Sequence, residues 1–481
     1  MMDTSPKVCV GSVVSSLREA SMKNFQFPPE FIFGVADADL QVIGEDACVR
    51  EEGAQPTMWS TFAAAGRTWK SDSPAVGIDR YHRWKSDADL MVDFNVRNYR
   101  TSVSMSRLLS PTGDVNEAAV AWYRAYWSYL RSKGVRIFAT LYHWELPQSL
   151  VERGGWLSRD TVSMFVKHAR AVYEHLGDLI DEYFTLNEPW CSTMLSYHLG
   201  KHAPGHASLR DALLAAHNIL LASGLAHREL LSLDRSLKVG VVLNTQAFYA
   251  ATPSTADLNA RQVADCYFNR WFFDPIFRGQ YPEDIFPVFQ KHLPEIGRDD
   301  MSTIHVGGLI HALGVNNYCG EIVRADPSCE LGYTSMKVAG GPENDLGWPI
   351  FVPPSYQAGL YDVLRQLYHS YRQHGLKRIY VTENGMALRS HGDAEGKLQP
   401  DLRRVDYYRQ HLQQVHDARL AGVPVEGYFA WTLMDNYEWA EGYRPEGCFG
   451  LVHIDRETLQ RTPKESLRWF SHVMSTGQAP Y

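Results

Sequence analysis

The sequence predicts an α/β fold: a single (β/α)8 TIM barrel with elaborated βα loops. Three observations predict it. Eight short apolar runs rich in β-branched residues recur along the 481 residues, helix-like stretches separate them, and polar residues collect where the runs end.

The runs are FIFGVA (31–36), VRNYRTSV (96–103), VRIFATLYHW (135–144), EYFTLNEP (182–189), KVGVVLN (238–244), ALGVNNY (312–318), RIYVTENG (378–385) and VEGYFAWTL (425–433). Near-continuous apolar strands alternating with helices indicate a parallel sheet covered on both faces. Eight such units suggest closure into a barrel. The competitor is an open doubly wound sheet, but no GxGxxG follows the first run. The intervening stretches include AWYRAYWSYLRSKG, DTVSMFVKHARAVYEHLG, LRDALLAAHNILLASGLAHRELL and RRVDYYRQHLQQVHDARLAG. Several end in Gly, the residue that best tolerates a left-handed helix stop.

No linker or composition shift divides the chain, so residues 25–475 are expected to form one catalytic barrel. Residues 1–24 are expected to form a flexible or loosely docked extension: their apolar stretch is short, broken by Gly and Ser, and lacks a basic leader. With 45% hydrophobic and 21% charged residues, the composition is that of a globular protein with a large core. A net charge of −8 without a Lys/Arg stripe argues against nucleic acid and anionic membrane surfaces as partners. No segment approaches the roughly 18 consecutive apolar residues of a membrane span. Seven cysteines without a CxxC pair fit reduced thiols in a cytoplasmic protein. No HExxH or similar spacing suggests a metal, and no cofactor is expected. The expected partner is a small molecule, and the sequence is compatible with a homo-oligomer. Of the 13 Trp and 25 Tyr, most belong to the core, but aromatic faces also suit the C–H faces of sugars.

Polar residues lie at the C-terminal ends of the runs: His143 and Trp144, Asn187 and Glu188, Asn244, Asn316 to Tyr318, Glu383 and Asn384, and Trp431. A barrel gathers its active site at that end. Glu188 precedes a proline, and Glu383 precedes Asn-Gly, a turn signal. A single such Glu is as often a loop cap or ion pair, but two at strand exits favour function. Glycoside cleavage has a use for the pair, with one carboxyl protonated to assist the leaving oxygen and one ionised to attack the anomeric carbon. In retaining enzymes the two sit roughly 5–5.5 Å apart, and each charge disfavours the other, so one stays protonated near neutral pH. Arg100, at the exit of the second run, is placed to keep Glu383 ionised; a structural ion pair is compatible with that role.

The segments FGVADADLQVIG, NYRTSVSMSR, TLYHWELPQSL, FTLNEP, GKHAPG, YVTENG, WTLMDNYEWAEGY and FGLVHID, in this order, resemble glycoside hydrolase family 1 from about Phe25 to about Phe470. The resemblance implies Glu188 as acid/base and Glu383 as nucleophile. It further implies that Gln41, His143, Trp144, Asn187, Glu438 and Trp439 grip the glycone, with Trp431 as its stacking floor. By the same resemblance Tyr318 orients the nucleophile, Trp348 is an aglycone platform and Phe449 closes the far wall. His202 is expected to be loop structure. Three positions depart from the family pattern: Ile43 where a Glu is common, Met105 where Trp is usual and Asn317 where Tyr is usual. A few extra residues follow Trp348.

These implications favour hydrolysis of β-D-glucosides by a retaining double displacement. A β-galactosidase, a β-fucosidase or a transglycosidase shares the same catalytic groups. Glu438 would repel a 6-phosphate, and Glu188 argues against a thioglucosidase of the plant type. A non-catalytic sugar-binding barrel is disfavoured by the intact carboxylate pair.

Overall fold

The computed structural model describes residues 25–337, 341–350, 358–393 and 397–480. The extension over 1–24, and most of the extra stretch after Trp348 (351–357), lie outside the described residues. Eight parallel strands close into a barrel in chain order. They are β1 (Ile32–Ala36), β2 (Asn98–Ser102), β3 (Arg136–Thr140), β4 (Glu182–Asn187), β5 (Val239–Asn244), β6 (Leu313–Asn316), β7 (Ile379–Asn384) and β8 (Val425–Trp431). Each falls inside one of the apolar runs. The ring closes because β1 pairs with β2 on one side and with β8 on the other, where Trp431 lies opposite Ala36.

A helix accompanies each of the seven crossovers, α1 (Arg80–Asp93), α2 (Glu117–Ser132), α3 (Arg159–Leu176), α4 (Leu209–Leu233), α5 (Trp271–Arg278), α6 (Ala358–Tyr371) and α7 (Leu402–Leu420), and α8 (Glu465–Thr476) follows the last strand. The side chains of Asn116, Ser158 and Ser208 accept backbone N–H groups at the starts of α2, α3 and α4, satisfying donors the helix leaves open. The glycine stops are mixed. Gly134 and Gly422 adopt φ of +81° and +86°, whereas Gly177 stays right-handed at −61° and leads into a short 3-10 turn. Outside the barrel, Phe25–Gln26 pairs with Gln478–Ala479.

Side chains fill the barrel interior, as a closed eight-stranded sheet requires. Phe138 and Phe429 meet with ring centroids 5.1 Å apart. Gly34 on β1 lets that layer close: a Cβ there would lie 2.5 Å from the Asn98 carbonyl oxygen and 2.6 Å from the Phe429 ring.

Two of the unusual positions have a packing account. Ile43 is buried with Cys48 and Ala54. Nearby, the Asp39 and Glu52 carboxylates meet Arg107 at 3.0 Å and 2.7 Å. Met105 is buried in the main core.

The β1–β2 edge is fastened to α1 by a buried charge network. Arg80 Nη1 donates to Asp37 Oδ2 and to the Tyr99 hydroxyl, both at 2.6 Å, and Nε donates to Asp87 at 3.2 Å. Tyr99 and Thr101, both on β2, donate to Asp37 Oδ1 at 2.6 Å and 2.7 Å. Asp87 keeps a second cation, Arg461 at 2.8 Å, but removing Arg80 leaves the Asp37 charge out of water with only hydroxyls as side-chain partners among the described residues. Arg80→Met should therefore destabilise the protein by about 3–5 kcal/mol, seen as a lowered midpoint in thermal or urea unfolding. An unchanged midpoint would show that Asp37 does not depend on Arg80.

Candidate active site

The site lies at the C-terminal mouth of the barrel, and the local backbone aims it. Pairing along β4 and β5 loses register between Phe184 and Asn187. Pairing of β7 with β6 does so between Val381 and Glu383, and with β8 between Val381 and Asn384. Such irregularities re-aim side chains at strand ends. Glu188 itself has φ of +50°, and Trp144 and Trp439 have φ of +66° and +51°. Non-glycine residues reach this region only where the surroundings hold them.

Glu383 sits between a cation and a phenol. Arg100 Nη1 donates to its Oε1 at 2.7 Å, and the Tyr318 hydroxyl donates to its Oε2 at 2.7 Å. The other arm of the guanidinium, Nη2, donates to Asn187 Oδ1 at 2.6 Å. The Asn316 amide donates to that same oxygen at 3.0 Å and to Glu188 Oε1 at 2.7 Å, while Asn316 Oδ1 accepts from the Thr382 hydroxyl at 2.7 Å. The two carboxyl groups therefore belong to one hydrogen-bonded set drawn from β2, β4, β6 and β7. Arg100, Asn187, Asn316 and Thr382 are fully buried, and Glu188 and Glu383 are exposed by only 4% and 3%.

Their surroundings separate the two acids. Burial, and then the charge of Glu383, push Glu188 up to about 8, against weaker opposition from Asn316 and Cys191. Burial also raises Glu383, but the Arg100 charge, its hydrogen bond and the Tyr318 hydroxyl oppose it. Glu383 is thus the carboxyl placed to be ionised and Glu188 the one placed to hold a proton.

Asn187 also fixes a neighbour. With its oxygen taken by Arg100 and Asn316, its amide nitrogen faces His143 Nε2 at 3.1 Å. Burial and the Arg100 charge push His143 well below the usual imidazole range, so the ring is neutral. Nε2 must then accept, which leaves the proton on Nδ1, a buried atom with no protein partner among the described residues. Gln41 is similar. Its amide donates to the Tyr437 carbonyl at 2.8 Å and to Asn436 Oδ1 at 3.2 Å, reaching Glu438 at 3.5 Å. Gln41 Oε1 and Asn436 Nδ2 remain unpartnered among the described residues. This part of the site therefore holds donors and an acceptor that have no hydrogen-bond partner among the described residues. Burial and the charge of Glu383 push Glu438 well above the usual carboxylate range.

Aromatic rings pack beside these groups. His143 stacks between Trp431 (5.7 Å, 22°) and Trp439 (5.9 Å, 17°), and Trp439 in turn contacts Trp144 and Trp59 at 5.0 Å and 4.9 Å. His202 packs on Trp59 and Trp144 at 5.3 Å from each. Towards the outside, Phe449 contacts Tyr318 and Trp348, both at 5.8 Å. Trp348 is 37% exposed, as a platform at the rim would be. Every site residue named from the sequence thus lies in this one region.

The sequence left several contributors unnamed or misread. Asn384 and Gly385 were expected to form a turn, but Asn384 ends β7 and is buried. Its amide donates to the Asn317 carbonyl at 2.6 Å and to Tyr407 at 2.9 Å, and its Oδ1 accepts from Tyr428 at 2.5 Å. Gly385 has no left-handed φ; a Cβ there would run into the carbonyl oxygen of Trp431. Asn317 braces the mouth from behind by donating to the Thr245 carbonyl at 3.0 Å. Asn316 was noted only as a polar strand end. Cys191 and Asn436 gave no signal beyond lying near Glu188 and Glu438 in the chain.

Among the described residues no group of three or more His, Cys, Asp or Glu could hold a metal ion, and no helix is long and apolar enough to cross a membrane. The model of Glycosyl hydrolase family 1 matches residues 23–479. A beta-glucosidase of an Agrobacterium species is 36% identical over 94% of this chain and 95% of its own length. A bifunctional beta-D-glucosidase/beta-D-fucosidase of Bifidobacterium breve is 35% identical over 94% and 99%. The solved structure of the Thermotoga maritima family 1 β-glucosidase with isofagomine lactam superposes with a TM-score of 0.88 at 34% identity, covering 95% of this chain and all of that one. The chain belongs to glycosyl hydrolase family 1 and is a glycoside hydrolase.

Proposed function

We propose that the protein is a retaining β-D-glucosidase of the cytoplasm that releases terminal non-reducing β-D-glucosyl residues. Several relatives bear the name beta-glucosidase. The observation that carries the mechanism is the asymmetry of the carboxyl pair: Glu383 accepts a hydrogen bond from a guanidinium, whereas among the described residues no cation donates to Glu188, whose Oε1 accepts from the neutral Asn316 amide.

In the first step a Glu383 oxygen attacks the anomeric carbon while Glu188 delivers its proton to the glycosidic oxygen. The C–O bond to the aglycone breaks, and a glucosyl ester of Glu383 forms. In the second step Glu188, now ionised, takes a proton from water as the water oxygen attacks the anomeric carbon. The ester bond breaks, and both carboxyls return to their starting states. Gln41, Asn436, His143, Asn187 and Glu438 would hold the sugar hydroxyls, since buried polar atoms need partners. Trp431 would carry the ring's C–H face. Trp348 and Phe449 would line the aglycone side.

Replacing Glu383 by Ala should lower turnover of an aryl β-D-glucoside by roughly four orders of magnitude or more. Azide should restore part of it and yield the α-glucosyl azide; near wild-type turnover in this variant rules the assignment out. Glu188→Ala should slow alkyl glucosides by about 10²–10⁴-fold and 2,4-dinitrophenyl glucoside far less. Equal losses on both substrates count against an acid role. Since Glu188 must keep its proton and Glu383 must lose its own, kcat/KM should decline above a pH of about 8 and again in acid. A flat profile from pH 4 to pH 9 would remove both carboxyls from the slow step.

A further inference from the structure

Glu188 has a second side-chain partner that the mechanism does not use. The chain turns after Pro189 into a π-helix, Cys191–His198, whose hydrogen bonds reach one residue further than in an α-helix, and its first residue folds back over the carboxyl. Cys191 Sγ donates to Glu188 Oε2 at 3.1 Å, while Asn316 holds Oε1 at 2.7 Å, so each carboxyl oxygen has one neutral partner. Asn244, at the exit of β5, points its amide at the sulfur from 4.0 Å. The sulfur's lone pairs thus face an N–H donor, and its own S–H is directed to Glu188. The charged and titratable groups facing this pair are Glu383 on β7, Arg100 on β2, Tyr318 after β6 and Glu438 after β8.

We propose that Cys191 is a positioning residue for the acid/base: its thiol anchors Glu188 Oε2 with a donor weak enough to leave the proton of that carboxyl transferable. The proposal rests on Glu188 being the acid/base. A thiol is a poorer hydrogen-bond donor than a hydroxyl, so it favours the ionised carboxylate less than serine would. Burial and the Glu188 charge push the thiol far above its usual range, so it remains S–H wherever the enzyme works. Glu188 is thereby given a fixed orientation with little loss of its protonated form. The oxygen nearest the sulfur is also the one that Asn316 leaves open.

The test compares two substitutions by the basic limb of kcat/KM against pH on an aryl β-D-glucoside. Cys191→Ser supplies a stronger donor and should move that limb down by about half a pH unit or more. Cys191→Ala removes the donor and should move it up, with the acid limb unmoved in both. Circular dichroism and thermal melting establish that each variant is folded; if the serine variant does not fold, the upward shift in the alanine variant decides alone. A limb that stays put, or moves the same way in both folded variants, overturns the proposal. The Glu188→Ala comparison of dinitrophenyl and alkyl glucosides is run alongside. If it shows no selectivity for the leaving group, the acid/base assignment fails and the role of Cys191 fails with it. If it shows selectivity while the limb does not respond, only the thiol's role fails.

Discussion

The arrangement at the barrel mouth depends on one buried guanidinium. Arg100 is completely withdrawn from water, and a cation in that position must be answered by fixed opposite charge or oriented acceptors. Its two terminal nitrogens choose those acceptors, the Glu383 carboxylate and the Asn187 oxygen. The rest follows in sequence. Asn187, with its oxygen committed, turns its amide to His143 and sets that ring's tautomer. Asn316 shares the same oxygen and so brings its amide to Glu188. Four strands are keyed to a single charge, and the two acids acquire different environments because only one of them touches it.

Such precision has to be imposed on a backbone that would relax elsewhere. Three residues of the mouth, Trp144, Glu188 and Trp439, occupy left-handed conformations, and strand register slips beside both acids. The closed sheet below supplies the rigidity that holds them. At Gly34 and between Phe138 and Phe429 its interior is closely packed. At the mouth the indoles of Trp431 and Trp439 stack on His143.

Much of this was legible in the residues. Apolar runs bounded by polar exits located all eight strands, because a parallel strand buried on both faces must be apolar until it reaches the mouth. The same contrast brought out Glu188, Glu383 and their neighbours. Side chains whose role is created by a distant partner were not legible. Asn384 looked like half of a turn because Asn-Gly is the usual turn pair, yet its partners Tyr407 and Tyr428 come from α7 and β8. Ile43 looked like a lost carboxylate, while Asp39 and Glu52 meet the nearby Arg107. Cys191 was one of seven cysteines read only as reduced thiols, and the fold-back after Pro189 sets it against Glu188.

The proposed sugar site joins remote stretches of the polymer: Gln41 follows β1, and its amide is gripped by Tyr437 and Asn436 beyond β8, 396 and 395 positions along the chain. During synthesis both acids and their guanidinium leave the ribosome well before the segment that completes this site. A growing chain therefore carries the chemical groups before it has anywhere to seat a sugar. Ligand binding then reports on ring closure, and any glycoside or inhibitor that occupies the site acts as a clasp between the first and last strands of the barrel.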